Sequence, residues 1–261
     1  MPNEVNQRLL LVTNDDGIEA KGLRELVDVV KNYGKVVVVA PSEPQSGMSH
    51  AITVKLPLRI KKISEDEHVA LYKCYGTPVD CVKMAFNNLL PRKPDLLISG
   101  INHGSNSATS VFYSGTMAAA LEGCINEIPS IGVSLLNLDH EADFTASKIY
   151  IDRIIKLVLQ NGLPRSVCLN VNIPDVPAGQ MKGIKFCRQT MGYWREEYDK
   201  RTDPHGRNYF WLTGTFHNTE PDATDTDEWA LSENFISVVP LHIDLTCYKT
   251  LKLLENWKLE S

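Results

Sequence analysis

Residues Leu9 to Val12 form a run of four apolar side chains, after which the chain breaks abruptly into Thr13, Asn14, Asp15, Asp16 and Gly17. An apolar run without alternation reads as a strand buried on both faces, the kind found in parallel sheets covered by helices. The break then delivers two adjacent carboxylates to the carboxyl end of that strand. Ligands of open α/β sheets bind at that edge. Two close carboxylates there favour a cation beside them, because each makes ionisation of the other more costly. A hard divalent ion suits such oxygen donors. The same residues also suit a plainer role, capping the helix that follows, since Asp is a favoured N-cap. Both readings stand at this point.

The rest of the chain repeats the pattern. Gly22 to Asn32 places Leu23, Leu26, Val27 and Val30 on one helical face, with Gly34 positioned to end the helix, and Lys35 to Ala40 is a second apolar strand. Strand, helix and strand with short connections make a βαβ unit with a right-handed crossover. A polar loop, Ser42 to His50, follows at the same sheet edge as Asp15. Ala51 to Ile63 and Val69 to Cys74 read as extended or strand segments. Thr77 and Pro78 open a helix whose buried face is Val82, Ala85, Phe86 and Leu89. Asp95 to Ser99 is the next core strand and leads into Gly100, Ile101, Asn102, His103 and Gly104. Ser114, Gly115 and Thr116 precede the strong helix former Met117 to Gly123, and a turn of that kind offers N–H groups and hydroxyls to an anion. Ser130 to Leu135, an amphipathic helix marked by Ile151, Ile154, Ile155 and Val158, and Cys168 to Ile173 complete the parallel core.

Beyond that strand the character changes. Phe186 to Gly214 sets Tyr193, Trp194, Tyr198, Tyr209, Phe210 and Trp211 around a charged middle, which reads as a long hairpin or arm. Exposed aromatics on an arm suit a contact between subunits. Glu220 to Glu233 reads as an acidic, solvated loop, Phe235 to Leu241 as a strand and Tyr248 to Leu259 as a closing helix.

Composition narrows the function classes. A chain of 261 residues with 43% hydrophobic content can bury a large core, and a net charge of −5 argues against a nucleic-acid backbone binder. The opening MPNEVNQR has no apolar signal core and no run approaches the length of a membrane helix, so a soluble, cytoplasmic protein is expected. Cys74, Cys81, Cys124, Cys168, Cys187 and Cys247 form no CxxC pair and read as reduced core thiols.

Three strand ends point to one place: Asp15 and Asp16 after the first strand, Ser46 after the second, and Asn102 after the strand ending at Ser99. If these strands are neighbours, an oxygen-only site results, suited to magnesium or manganese and poor for zinc. Singly, Ser46 and Asn102 are ordinary turn residues, and it is their joint position that matters. His50 and His103 flank the proposed site and suit proton transfer or phosphate binding as well as plain loop roles. Rival signatures fail. There is no GxGxxG after the first strand, no P-loop and no GxSxG, and the Asp225–Asp227 pair of DTDEW lacks the hydrophobic strand that a dehalogenase-type phosphatase places before its aspartates.

Five motifs in order, TNDDG at 13–17, APSEPQSG at 40–47, GTPVDCV at 76–82, SGINHGSN at 99–106 and YSGT at 113–116, resemble the SurE family of 5′/3′-nucleotidases. The resemblance is dense over about the first 135 residues and thinner afterwards. It implies a single α/β domain, with a Rossmann-like, mostly parallel sheet and helices on both faces over 1–180. Residues 181–261 would then be an extension whose hairpin arm, strand and terminal helix serve assembly into a homodimer or homotetramer. It implies one divalent metal ion per subunit, Mg2+ or Mn2+, held by Asp15, Asp16, Ser46 and Asn102, the set that the strand-end argument selects. It further implies a cytoplasmic phosphatase acting on nucleoside monophosphates, with short polyphosphate as a further substrate in some members. No nucleic-acid polymer or membrane partner is implied. Base preference is left open by Met48, Ser49 and His50, which occupy a variable part of the loop. On this reading Asn106 and the turn Ser114, Gly115, Thr116 hold the phosphate oxygens, and Asp15 and Asp16 are catalytic. One remains a ligand while the other serves as general base toward water, the favoured option, or as nucleophile toward phosphorus. Two other readings stay open: a polyphosphate-trimming enzyme with the same site, and a nucleotide sensor without chemistry.

Overall fold

The computed structural model describes residues 7–257. Its elements are β1 (Leu9–Thr13), α1 (Lys21–Val30), β2 (Lys35–Pro41), β3 (Ile60–Glu65), β4 (Val69–Cys74), α2 (Pro78–Met84), β5 (Leu96–His103), α3 (Gly115–Ile125), β6 (Ser130–Leu135) and α4 (Thr145–Asn161). They continue with β7 (Val167–Ile173), β8 (Gly183–Phe186), β9 (Gly192–Thr202), β10 (Asn208–Asn218), α5 (Asp227–Ser232), β11 (Phe235–His242) and α6 (Tyr248–Leu254). A nine-stranded sheet runs in the order β3-β4-β2-β1-β5-β6-β7-β11-β8, and β9 and β10 form a separate two-stranded ribbon.

The unbroken apolar run of β1 has its reason in this arrangement. Leu10 and Val12 face the cluster that holds Leu23 and Leu26 of α1 and Ile151 and Ile154 of α4. Leu9 and Leu11 face the opposite cluster, with Cys81 and Val82 of α2 and Ala119 of α3. Helices cover both sides, so every position of the strand is apolar, and each such side chain contributes about 1.5–3 kcal/mol on burial. From β1 the chain moves outward to β2 and β4, then returns to β5 on the other side and proceeds to β6 and β7, with β1 parallel to both neighbours. The sheet therefore reverses its strand order between β1 and β5, which is where α/β sheets open a crevice at their carboxyl ends.

Several expectations change in detail. Gly34 does not terminate α1, which ends at Val30 with Lys31 in right-handed geometry. It instead allows the start of β2 to approach Arg8, whose carbonyl oxygen would lie 2.3 Å from a Cβ at that position. Between Ala51 and Ile63 only the stretch from Ile60 onward is strand. The core sheet does not stop at β7: β11 pairs with it antiparallel and β8 pairs with β11, so residues beyond 180 extend the same sheet. Of the predicted closing helix, Tyr248–Leu254 is helical, and Lys258 and Leu259 lie outside the described residues. All six cysteines are free, but only Cys74, Cys81, Cys124 and Cys168 are buried, Cys187 being half-buried and Cys247 exposed just before α6.

The largest departure is in the acidic stretch Glu220 to Glu233. It contains α5, capped by Thr226, whose hydroxyl accepts from the Trp229 N–H at 3.3 Å. Asp227 is fully buried and accepts hydrogen bonds from the N–H groups of Ala108 (2.8 Å) and Thr190 (2.9 Å) and from the Thr190 hydroxyl (2.6 Å). A buried carboxylate with this many donors ties three distant segments together, which acidic composition alone does not reveal. Asp225 remains at the surface and pairs with Arg188.

Candidate active site

Because α1 starts at Lys21, with Ala20 as its N-cap and no acidic residue in its first turn, Asp15 and Asp16 do not cap it. They project instead from the loop that follows β1. The Asp15 carbonyl accepts the Gln45 N–H at 2.7 Å, and the Ile18 N–H donates to the Pro41 carbonyl at 2.8 Å. These bonds lace the loop after β1 to the loop after β2, the one that carries Ser46. Asp15 is 3% exposed, and its carboxylate accepts from the Thr116 hydroxyl at the start of α3. Gly115 makes that approach possible, since a Cβ there would sit 2.8 Å from the Asp15 Cβ and 2.9 Å from its Oδ2.

Burial pushes the Asp15 carboxyl up to about 6, the Thr116 hydroxyl pulling it down and the Asp16 charge pushing it further up. Asp16 is also raised, by burial first, with the His103 N–H and His140 acting against the shift. The His103 N–H reaches Asp16 Oδ2 at 3.2 Å. On β5, the Asn102 side-chain amide donates to the Gly104 carbonyl at 2.8 Å, which fixes the amide plane and leaves its oxygen for a ligand.

Asp15, Ser46 and Asn102 line one cavity of about 880 Å³. His103, Asn106 and Ser114 line it too, together with Tyr113, Trp194, Leu212, Thr213, Gly214, Phe216 and Glu228. Asp16 is not among its lining residues; it follows Asp15 in sequence and accepts from the N–H of His103, which is. Thr13 Oγ1, Asn14 Oδ1 and Ser99 Oγ, all near these strand ends, are buried without a protein hydrogen-bond partner.

The remaining predicted residues divide. Ser114 caps α3 by accepting from the Met117 N–H at 3.0 Å, and its own hydroxyl hydrogen stays free for an anion in the cavity. Thr116 is fully buried and engaged with Asp15, so its hydroxyl positions a carboxylate and faces no phosphate. Asn106 is held within a polar network: its N–H donates to Asn172 Oδ1 and its side-chain amide to Ser134 Oγ, both at 2.8 Å, while Asn170 donates to its carbonyl at 2.8 Å. Its second Nδ2 hydrogen and its amide oxygen are left over, and only the former can donate to a phosphate. His103 stacks edge-on against Phe144 and His140, and burial lowers its affinity for a proton. His50 turns away from the site to Glu122, with Nε2 3.1 Å from Oε2, and lines a different cavity.

Asn170, Asn172 and Glu228 are not singled out by the sequence, and Trp194, which reads there as part of a subunit contact, lines the cavity together with Phe216. Asn170 and Asn172 did carry a signal, because two amides at alternate positions in an otherwise apolar strand must find buried partners.

Among the described residues no group of three or more His, Cys, Asp or Glu side chains stands where it could hold a metal ion. The two carboxylates, one hydroxyl and one amide oxygen at the strand ends nevertheless suit a hard cation. These donors are all oxygen, and both carboxyls are shifted in the direction that a neighbouring positive charge would reverse.

The comparisons with known proteins agree with one another. Residues 10–196 match the family model of the survival protein SurE. The 5′-nucleotidase SurE of Flavobacterium psychrophilum is 54% identical over 256 residues, covering 98% of this chain and 99% of that protein. Its counterpart in Phocaeicola vulgatus is 50% identical over 252 residues, covering 97% of each. The crystal structure of the SurE protein from Aquifex aeolicus superposes with a TM-score of 0.81 at 38% identity, covering 95% of this chain and 98% of that one.

Proposed function

The chain belongs to the SurE family, and from that premise we infer that it is a 5′-nucleotidase, a metal-dependent phosphomonoesterase that converts nucleoside 5′-monophosphates to nucleoside and inorganic phosphate. The observation that carries the reading is the carboxylate pair at the switch point of the sheet, with Asp15 opening into the cavity that Ser46 and Asn102 also line.

Asp15, Asp16, Ser46 and Asn102 would hold a divalent cation, Mg2+ or Mn2+. That ion, when bound, supplies positive charge to the non-bridging phosphate oxygens and makes water more acidic. The protein's own residues do the rest. Thr116 and Gly115 hold Asp15 in place, and the His103 N–H orients Asp16. The Ser114 hydroxyl and the second Nδ2 hydrogen of Asn106, both residues lining the cavity, would donate to phosphate oxygens. One aspartate would remain a ligand while the other takes a proton from water; the water oxygen bonds to phosphorus as the in-line P–O bond to the ribose breaks, and the departing oxygen takes a proton from solvent.

The exposed aromatics of the arm, Tyr198, Tyr209, Phe210 and Trp211, and the exposed Tyr248 and Leu251 of α6 support assembly into a homodimer or homotetramer. No helix among the described residues is long and apolar enough to cross a membrane. Six free cysteines suit a reducing compartment, which favours the cytoplasm.

The test is phosphate release from 5′- and 3′-nucleoside monophosphates and short polyphosphate, with EDTA, magnesium or manganese, on wild type and Asp16→Asn. Metal-dependent release that vanishes in the variant supports both site and reaction. Nucleotide binding without release would favour a sensor.

A further inference from the structure

The cavity holds one acidic side chain that the phosphate chemistry does not use. Glu228, the second residue of α5, lines it together with Asp15 and is half-buried. Its backbone N–H donates to Asp227 Oδ1 at 2.9 Å and to the Thr190 hydroxyl at 3.2 Å, so the residue is fixed to the buried Asp227 anchor. One carboxylate oxygen accepts from the Ser107 hydroxyl. The other carries no hydrogen bond from the described residues. Ser107 is itself held by the loop after β5, whose Asn106 is fixed by Asn170 and Asn172.

An anion has no reason to approach this carboxylate, whereas neutral donors do. In a nucleoside monophosphate bound with its phosphate at the aspartates, the nearest neutral donors are the sugar hydroxyls. The same cavity carries an aromatic wall for the base: Trp194 donates Nε1–H to Ser110 Oγ at 3.3 Å, and its ring meets Phe216 edge-on with centroids 6.0 Å apart. Ionised acceptors take vicinal ribose hydroxyls well, as acidic residues do in dinucleotide sites. Building on the nucleotidase reading, we propose that Glu228, oriented by Ser107, accepts hydrogen bonds from the ribose 2′- and 3′-hydroxyls and selects ribonucleotides over substrates that lack them. Burial and the Asp227 charge both raise the Glu228 carboxyl, the condition of an acceptor short of donors.

The experiment compares kcat/KM for a ribonucleoside 5′-monophosphate and its 2′,3′-dideoxy analogue on wild type, Glu228→Gln and Glu228→Leu. Wild type is expected to prefer the ribonucleotide by about 10- to 100-fold, the worth of a hydrogen bond to a charged group. Glu228→Leu should bring that ratio to near one through a higher KM for the ribonucleotide, and Glu228→Gln, which keeps an acceptor, should lie between. Damage to the fold would lower both substrates together and leave the ratio intact. A ratio unchanged in Glu228→Leu overturns the proposal, as does a loss that follows an amino group of the base, read from AMP against IMP, instead of the sugar. Absence of phosphate release by wild type overturns the nucleotidase reading and this subsite with it, whereas release with an unchanged ratio removes only the subsite.

Discussion

Two walls of the same cavity are built on opposite principles. The wall that carries Asp15 and Asn102 belongs to the centre of a nine-stranded sheet, and every group in it is clamped: Asp15 by Thr116 and Gly115, Asn102 by Gly104, Asn106 by three partners. The facing wall comes from the foot of a two-stranded ribbon, β9 and β10, that pairs with nothing in the main sheet. An isolated ribbon is marginal by itself and keeps most of its side chains in water, as Trp211 at 59% exposure shows. Groups that must meet a reacting phosphorus atom within a fraction of an ångström belong on the first kind of wall. Groups that only need to cover a base, or to meet another subunit, are served by the second.

The largest effect is expected at Asp15. Asp15→Asn keeps the volume and the Thr116 contact but removes the charge, and turnover should fall at least about a thousandfold in a phosphate-release assay. If Asp15→Asn retained more than a tenth of wild-type activity, the rigid wall would not be where the chemistry sits. Thr116→Val, which leaves the fold packed but frees Asp15, is expected to reduce kcat or metal affinity by about 10- to 100-fold, as loss of an orienting partner does. An equal fall in thermal stability and activity would instead mark Thr116 as a packing residue.

Asp15 also ties stability to pH. Its folded value, about 6, lies above the usual 3.8, so the folded metal-free protein holds this proton more tightly than the unfolded chain. Stability from this group is therefore fully present below about pH 4 and is lost as pH rises toward 6. Adding Mn2+ should recover it, with a rise of several degrees in Tm at pH 7.5 and a smaller one at pH 5. The same shift in Asp15→Asn would exclude Asp15 as a ligand.

The smallest expected effect lies farther out on the arm, where the consecutive Phe210 and Trp211 of β10 expose opposite faces of the ribbon. Phe210→Ser with Trp211→Ser should lower the assembly mass measured by light scattering while kcat changes less than about threefold, because neither residue lines the cavity. A loss of activity as large as that of Thr116→Val would show that the ribbon is as much a part of the chemistry as the sheet.

Much of this was legible in residue order. The unbroken run at Leu9 to Val12 requires a strand covered on both faces, and the polar breaks after three such runs put Asp15, Asp16, Ser46 and Asn102 at strand ends that share one edge if the strands are neighbours, as they are. Local rules sufficed because strand, turn and cap are decided by neighbours in the chain. Other features depend on contacts across long separations. Nothing near Asp227 in sequence says that it is buried, since its donors lie at Ala108 and Thr190. Nor does the stretch around Thr116 reveal that its hydroxyl answers Asp15, 101 positions away. The sequence by itself determined which strands are buried and which residues stand at their ends. Tertiary structure alone decided which hydroxyl orients a carboxylate, which acid is buried and which ribbon closes the cavity, because burial and hydrogen-bond partners are properties of segments brought together only by folding.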